Sequence, residues 1–393
     1  MFAGIIHITM FNNVKIYKKI AILAVIAIFG LSACKKKEKE EQKPTLQVPS
    51  NYDGTNFTSN STNTKAIADQ LVALVNKAKE GRDSTKTVTK TDLDNLFTAG
   101  STSLASIATT YYKGRLDAAT GWFNDLAQAS GSGYTPGSFV DQGGVYGGYL
   151  FDENGVEMEQ LIEKGLFGAA LYNYAVSLLS NNPNSATVDQ VLVLYGAKPA
   201  FANSGSSTVP VENRDAFMAN YAARRSDIND NNSLYIQLKN QFIRLQAAIK
   251  SGSQFDSDKN DAINQIKLNW EKVNAATIIN YCHSSISTLS STNPTTSQKA
   301  GALHSIGEAI GFLHGYRTIP QEHKKITDVQ IDEILGLLNA PYNATPTTYT
   351  FITDAVNQVP KLQQVINKLK DIYGFTSAEI ESFKKNWVTE QGR

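Results

Sequence analysis

The side chains best suited to chemistry fall late in the chain. Four of the five histidines, His283, His304, His314 and His323, lie within 41 residues of one another. His304 and Glu308 stand four apart in a run of helical periodicity from about Ser297 to Thr318, which puts an imidazole and a carboxylate on one helix face. Imidazole and carboxylate together suit a transition metal. The candidate ligand or metal-binding set is therefore His304, Glu308, His283, His314 and Arg317, with the cofactor left open between none, a metal and haem. The competing reading is a histidine that is simply packed or solvated. Gly307, Gly311 and Gly315 run along the same helix. Each costs a helix interior roughly 0.8–1.0 kcal/mol relative to alanine, so something must offset the ridge. Close helix–helix packing would do so, and so would the close approach of a flat ligand.

Other chemistries fail on spacing, and no catalytic residue is assigned. The chain has no His-Glu-x-x-His, no Glu-x-x-His, no Gly-x-Ser-x-Gly elbow and no P-loop. Asp256, Asp258 and Asn260 start like a calcium loop, but Asp261 stands where its glycine belongs and Lys267 where its bidentate glutamate belongs. Asp227, Asn229 and Asn231 fail in the same way, with Leu238 at the twelfth position. Glu159 and Glu163 share a face of an expected 154–180 helix and read as solvated. Cys282 sits in an apolar stretch and reads as a small buried hydrophobe. The tryptophans, Trp122, Trp270 and Trp387, read as core.

Positioning these groups falls to helices. Ile67, Leu71, Leu74 and Val75 form one apolar stripe, and Met158, Leu161, Ile162 and Leu166 a second. Leu234, Leu238, Phe242, Leu245 and Ile249 form a third, and Ile263, Ile266, Trp270 and Val273 a fourth. Thr327 with Gln330 and Thr376 with Glu379 fit capping boxes. Strand alternation is scarce, with one brief candidate near Thr348 to Ile352. The expected fold is all-α, a bundle of about ten helices forming one large domain over 51–393. Two stretches interrupt it, the small, polar Ala197 to Pro210 and the Gly-rich insertion from Ser130 to Gly155. The insertion is long for a plain loop and is expected either to run over the surface or to line a site.

The N-terminus is of a different kind. Lys15, Lys18 and Lys19 precede an apolar run from Ile20 to Gly30, too short to span a bilayer. The run ends at Leu31-Ser32-Ala33-Cys34, which resembles the lipobox of bacterial lipoproteins. That resemblance implies removal of residues 1–33 and lipidation of Cys34, with residues 34–50 (KKKEKEEQKPTLQVPS after the cysteine) as a flexible tether. It also implies anchoring in the outer membrane, since no aspartate follows the cysteine. Loss of residues 1–33 takes three lysines from 37 basic residues and none of the 36 acidic ones, so the remainder is near −2. A near-neutral chain without a basic stripe is not a nucleic-acid binder.

Four stretches, Gly144 to Ala175, Asn213 to Ile228, Asn269 to Tyr281 and Leu303 to Leu338, resemble an uncharacterised family of Gram-negative envelope lipoproteins, domain of unknown function 4856. The resemblance implies a helical, lipid-anchored envelope domain but supplies no catalytic residues. Its association with imelysin-like proteins and outer-membrane uptake receptors implies partners of those kinds and a role in iron or haem acquisition. Imelysins carry Gly-x-His-x-x-Glu, and Gly301, His304 and Glu308 depart from both gaps. The expected function is a lipid-anchored binding protein. The alternatives are an adaptor that contacts a receptor and, further off, a metal-dependent hydrolase. Cys34→Ala should abolish incorporation of a palmitate analogue during growth; undiminished labelling of the variant would remove the anchor from the account.

Overall fold

A computed structural model describes residues 44–206 and 209–393. Cys34 and most of the expected tether lie outside them. The described domain begins at about Leu46, and Tyr52 is already buried, its hydroxyl donating to Asp189 at 2.6 Å. Thirteen helices of eight or more residues follow among the described residues, against about ten expected. In order they are α1 (Thr62–Lys79), α2 (Lys90–Thr98), α3 (Thr110–Asp117), α4 (Trp122–Ala129), α5 (Met158–Leu166), α6 (Asn173–Ser180) and α7 (Ser185–Tyr195). Then come α8 (Phe217–Arg225), α9 (Leu234–Ser251), α10 (Asp256–Leu289), α11 (Thr296–Tyr316), α12 (Asp328–Leu337) and α13 (Ala355–Tyr373). The fold is all-α, as the periodicity requires.

The hub is α10, about 51 Å long at 1.5 Å per residue. Its middle, from Asn269 to Ile279, is buried on nearly every face because α8, α9, α11 and α13 all pack on it. Its one interior acid, Glu271, accepts the amides of Lys325 and Ile326, each at 2.7 Å, and the Tyr373 hydroxyl at 2.7 Å. The expected capping boxes are present: the side chains of Thr327 and Thr376 accept from the Gln330 and Glu379 amides. Cys282 is buried, and burial pushes its thiol up to about 12. Asp256 and Asp258 occupy the first turn of α10, where carboxylates favour the helix dipole.

Three details differ from the sequence reading. The expected 154–180 helix is divided by a fully buried π-helical turn, Phe167–Tyr172, between α5 and α6. Thr348 to Ile352 forms no strand; Thr350–Thr353 is a helical turn. The Gly-rich insertion contains a hairpin, β1 (Gly144–Tyr146) paired antiparallel with β2 (Tyr149–Phe151). Gly147 and Gly148 make its turn with φ of 55° and 94°, left-handed values that a two-residue hairpin demands.

The glycine ridge of α11 is explained by packing. A Cβ on Gly311 would lie 2.4 Å from the Gln160 carbonyl oxygen, and one on Gly315 2.5 Å from that of Gly165. The partner surface is equally bare, since a Cβ on Gly168 would lie 2.7 Å from the Gly315 carbonyl carbon. Helices α5 and α11 therefore meet backbone to backbone. Gly301, on the same helix, is open: a Cβ there would have no neighbour within 4 Å. Gly311→Ala should destabilise the domain by about 1–3 kcal/mol through overpacking, whereas Gly301→Ala should stabilise it by roughly 0.4–1 kcal/mol. Denaturant unfolding of the two variants checks the contrast, and equal effects would contradict it.

Candidate functional site

The α5–α11 contact brings Glu157, just before α5, and Gln160 and Lys164 on α5 up to His304 and Glu308 on α11. His304 Nδ1 donates to Glu157 Oε2 at 2.6 Å, and its Nε2 lies 3.6 Å from Glu308 Oε2. The imidazole thus stands between two carboxylates. Burial alone would lower its pKa, but the charge of Glu157 and its hydrogen bond, joined by the charge of Glu308, outweigh burial and raise it above 6.5. With Nδ1 committed to Glu157, only Nε2 is left for a ligand.

Each carboxylate has further partners. Arg82, just after α1, reaches Glu159 through Nε at 2.5 Å and Glu157 through Nη2 at 3.0 Å. Burial and the neighbouring Glu157 charge push Glu159 up to about 7, against the pull of Arg82 and Lys79. Lys164 Nζ sits 3.0 Å from Glu163 and 3.1 Å from Glu308, and Glu308 also accepts the Tyr221 hydroxyl at 3.3 Å. Glu159 and Glu163 are therefore no solvated face: Glu159 is buried, and Glu163 is paired with Lys164 and with Lys79 at 3.3 Å.

The hairpin supplies a wall. The Tyr149 ring stacks on His304 with centroids 4.3 Å apart, and the Arg82 guanidinium lies 4.8 Å from the Tyr149 centroid. The Gly-rich insertion lines the site, and its tight turn is what seats Tyr149. From α8, Tyr221 and Asn220 close another side. The Arg224 guanidinium lies 5.3 Å from the Tyr221 ring centroid and has no carboxylate within 4 Å among the described residues. Apart from the buried Glu157 and Glu159, these groups line an open, polar cleft of about 380 Å³.

The other expected ligands do not join it. His314, ten residues along α11 and about 15 Å away by helix rise, is buried against Trp122, with ring centroids 5.4 Å apart. Burial, then Arg115 and Arg317, pull its pKa down to about 3. Arg317 pairs with Asp328 at 2.5 Å and Asp332 at 2.9 Å and faces Tyr342. His283 is half-buried, and burial and then Lys384 lower its pKa. Among the described residues, no three or more His, Cys, Asp or Glu side chains are grouped to hold a metal ion. The set splits into the His304–Glu308 pair, which reaches the cleft, and three residues engaged elsewhere.

Spacing alone revealed the pair but missed Arg82, Tyr149, Glu157, Lys164, Tyr221 and Arg224. The Gly147–Gly148 turn was the one local signal pointing to Tyr149. No protein-family model matches the chain, and no curated protein or solved structure matches it.

The raised pKa of His304 has a signed consequence. Its contribution to stability is complete below the unfolded value near 6.5 and is lost as pH rises through the higher folded value. Glu157→Gln should bring the His304 pKa back toward or below 6.5. Proton NMR of the ring across pH 5 to 9 checks this; an unchanged midpoint in the variant would show that Glu157 does not hold the charge.

Proposed function

We propose that the chain is a lipid-anchored protein of the cell envelope whose cleft binds a small, polar, anionic ligand. The observation that carries this is the cleft's charge arrangement. Lys79, Arg82, Lys164 and His304 are each matched to Glu157, Glu159, Glu163 or Glu308 within 4 Å, which leaves Arg224 as the cation without a carboxylate partner among the described residues. A guanidinium beside an aromatic face receives a carboxylate through two parallel hydrogen bonds. The paired carboxylates of Glu163 and Glu308 then accept from ligand hydroxyls. So many ionised groups around one small cavity are costly to bury and weak as stabilisers, which favours a binding role over a purely structural one.

Three of the four stretches that carry the family resemblance contribute to this cleft: Tyr149, Gln160 and Lys164 from the first, Tyr221 and Arg224 from the second, His304 and Glu308 from the last. The role in iron acquisition implied by that resemblance fits an iron already wrapped by a hydroxycarboxylate better than iron or haem ligated by His304. Delivery to or from an outer-membrane receptor or an imelysin-like protein would follow from the anchor. An adaptor role has one observation in its favour, the exposure of Phe139 and Val140 in the Gly-rich insertion, where a receptor would meet apolar surface.

Calorimetric titration with citrate, galacturonate and the neutral polyol glycerol tests the reading. The acids should bind and the polyol should not, and Arg224→Gln should weaken acid binding at least about tenfold, the size of a charge-assisted hydrogen bond. Acids that fail to bind, or that bind the variant equally, would move the function away from this cleft.

A further inference from the structure

A second cavity of about 250 Å³ lies between the start of α9 and the C-terminal segment around Phe383, and shares no lining residue with the cleft. Arg225, the last residue of α8, lines it while only 5% exposed. Its Nη1 donates to the Phe383 carbonyl at 3.1 Å, but its buried Nε has no partner, and no carboxylate lies within 4 Å among the described residues. A buried guanidinium without a counter-charge is expensive.

Ser233, 7% exposed, lines the same cavity. It occupies the capping position of α9, yet its hydroxyl caps nothing and has no other partner. The eighteen-residue helix behind it has no acidic residue in its first turn, and its one side-chain cap among the described residues is Ser226 Oγ, which accepts the Tyr235 amide at 3.1 Å and carries no charge to answer the helix dipole. Two buried, unpartnered donors and a helix N-terminus thus meet at one cavity. That is the chemistry of a carboxylate receptor.

A simple anion is nevertheless the wrong occupant. Asp227, Asp230 and Glu379 line the cavity too. Asp227 Oδ1 accepts the Asn229 amide and the Gln391 side chain, and Asp230 Oδ1 accepts the Asn232 amide. Glu379 Oε2 serves the cap at Thr376. The second oxygen of each has no hydrogen bond among the described residues. Three carboxylates against one guanidinium repel an ion that is only negative, and they welcome one that also carries an ammonium group.

We propose that this cavity binds a free α-amino acid, its carboxylate on Arg225, Ser233 and the α9 N-terminus and its ammonium on Asp227, Asp230 or Glu379. Leu234, Phe383 and Trp387 on the lining give an apolar side chain somewhere to rest. The volume suits one residue, and the two charge sites select against a peptide end, which offers only one of the two groups at that spacing.

The test is titration of the detergent-solubilised full chain with L-leucine and L-alanine, beside N-acetyl-L-alanine, L-alaninamide and acetate. The free amino acids should bind, and each of the other three should bind at least about tenfold more weakly, the size of one lost charged hydrogen bond. Ser233→Ala removes a hydroxyl that holds nothing in the fold, and Asp230→Asn changes an exposed carboxylate; each should weaken amino-acid binding by a similar factor while circular dichroism stays unchanged. Acetate binding as tightly as alanine, no binding of either amino acid, or full affinity in both variants would overturn the proposal.

Discussion

The structure depends on one contact, the backbone-to-backbone crossing of α5 and α11. Ordinary side chains keep helix axes 8–10 Å apart. Here a methyl on Gly311 would strike the Gln160 carbonyl, one on Gly315 that of Gly165, and one on Gly168 the backbone of Gly315. The crossing converts the conformational cost of glycine into contact area. It also decides which polar groups meet. With any bulkier residue at Gly311, Gln160 and Lys164 would be lifted away from α11, and with them the reach from Lys164 to Glu308.

That contact makes a buried ionic network tolerable. Isolated, each of Glu157, Glu159, Glu308 and Lys164 would carry a desolvation penalty of several kcal/mol. The network answers this by multiplicity: Arg82 serves two glutamates, Glu157 serves Arg82 and His304, and Lys164 sits between two acids. Low dielectric strengthens such links and penalises a missing one. Rigidity follows, because no member can swing out without stranding another. A cleft walled this way is organised before any ligand arrives, so ordering the protein takes little from the affinity.

The all-α fold was legible because helical stripes state burial directly, and most of the expected stripes, such as that of Ile263, Ile266, Trp270 and Val273, are core. The four-residue spacing of His304 and Glu308 was legible for the same reason, since a helix fixes which neighbours share a face. What spacing cannot state is which other helix lies opposite. Glu159 and Glu163 looked solvated because no cation stands three or four residues from either along their helix; besides the adjacent Lys164, the cations that hold them are Lys79 and Arg82, some 80 residues earlier. The histidine cluster misled for the converse reason. Nearness along the chain put His283, His304 and His314 together, while ten residues of α11 carry His314 to another region and His283 belongs to α10. The hairpin was hidden in its glycines, which mark a turn only once the paired tyrosines on either side are placed.

The π-helical turn at Phe167–Tyr172 shows how tightly these parts are linked. A π turn inserts one residue into the helical repeat and leaves a carbonyl without its usual partner. The Ala169 carbonyl finds one outside the helix, accepting the Thr109 amide at 2.9 Å. Upstream, α5 presents Gln160, Lys164 and Gly165 toward α11. Without the extra residue, the regular repeat would rotate everything downstream by about 100°, including Tyr172, whose ring centroid lies 5.3 Å from that of Trp270 and 5.0 Å from that of Tyr316. The irregularity reconciles two demands on one stretch of chain: the close crossing that builds the floor of the cleft, and, at the far end of the turn, the aromatic contacts of Tyr172 with α10 and the end of α11. A cleft assembled from helices distant in sequence needs such a correction somewhere, and here it falls one turn below the ionised groups.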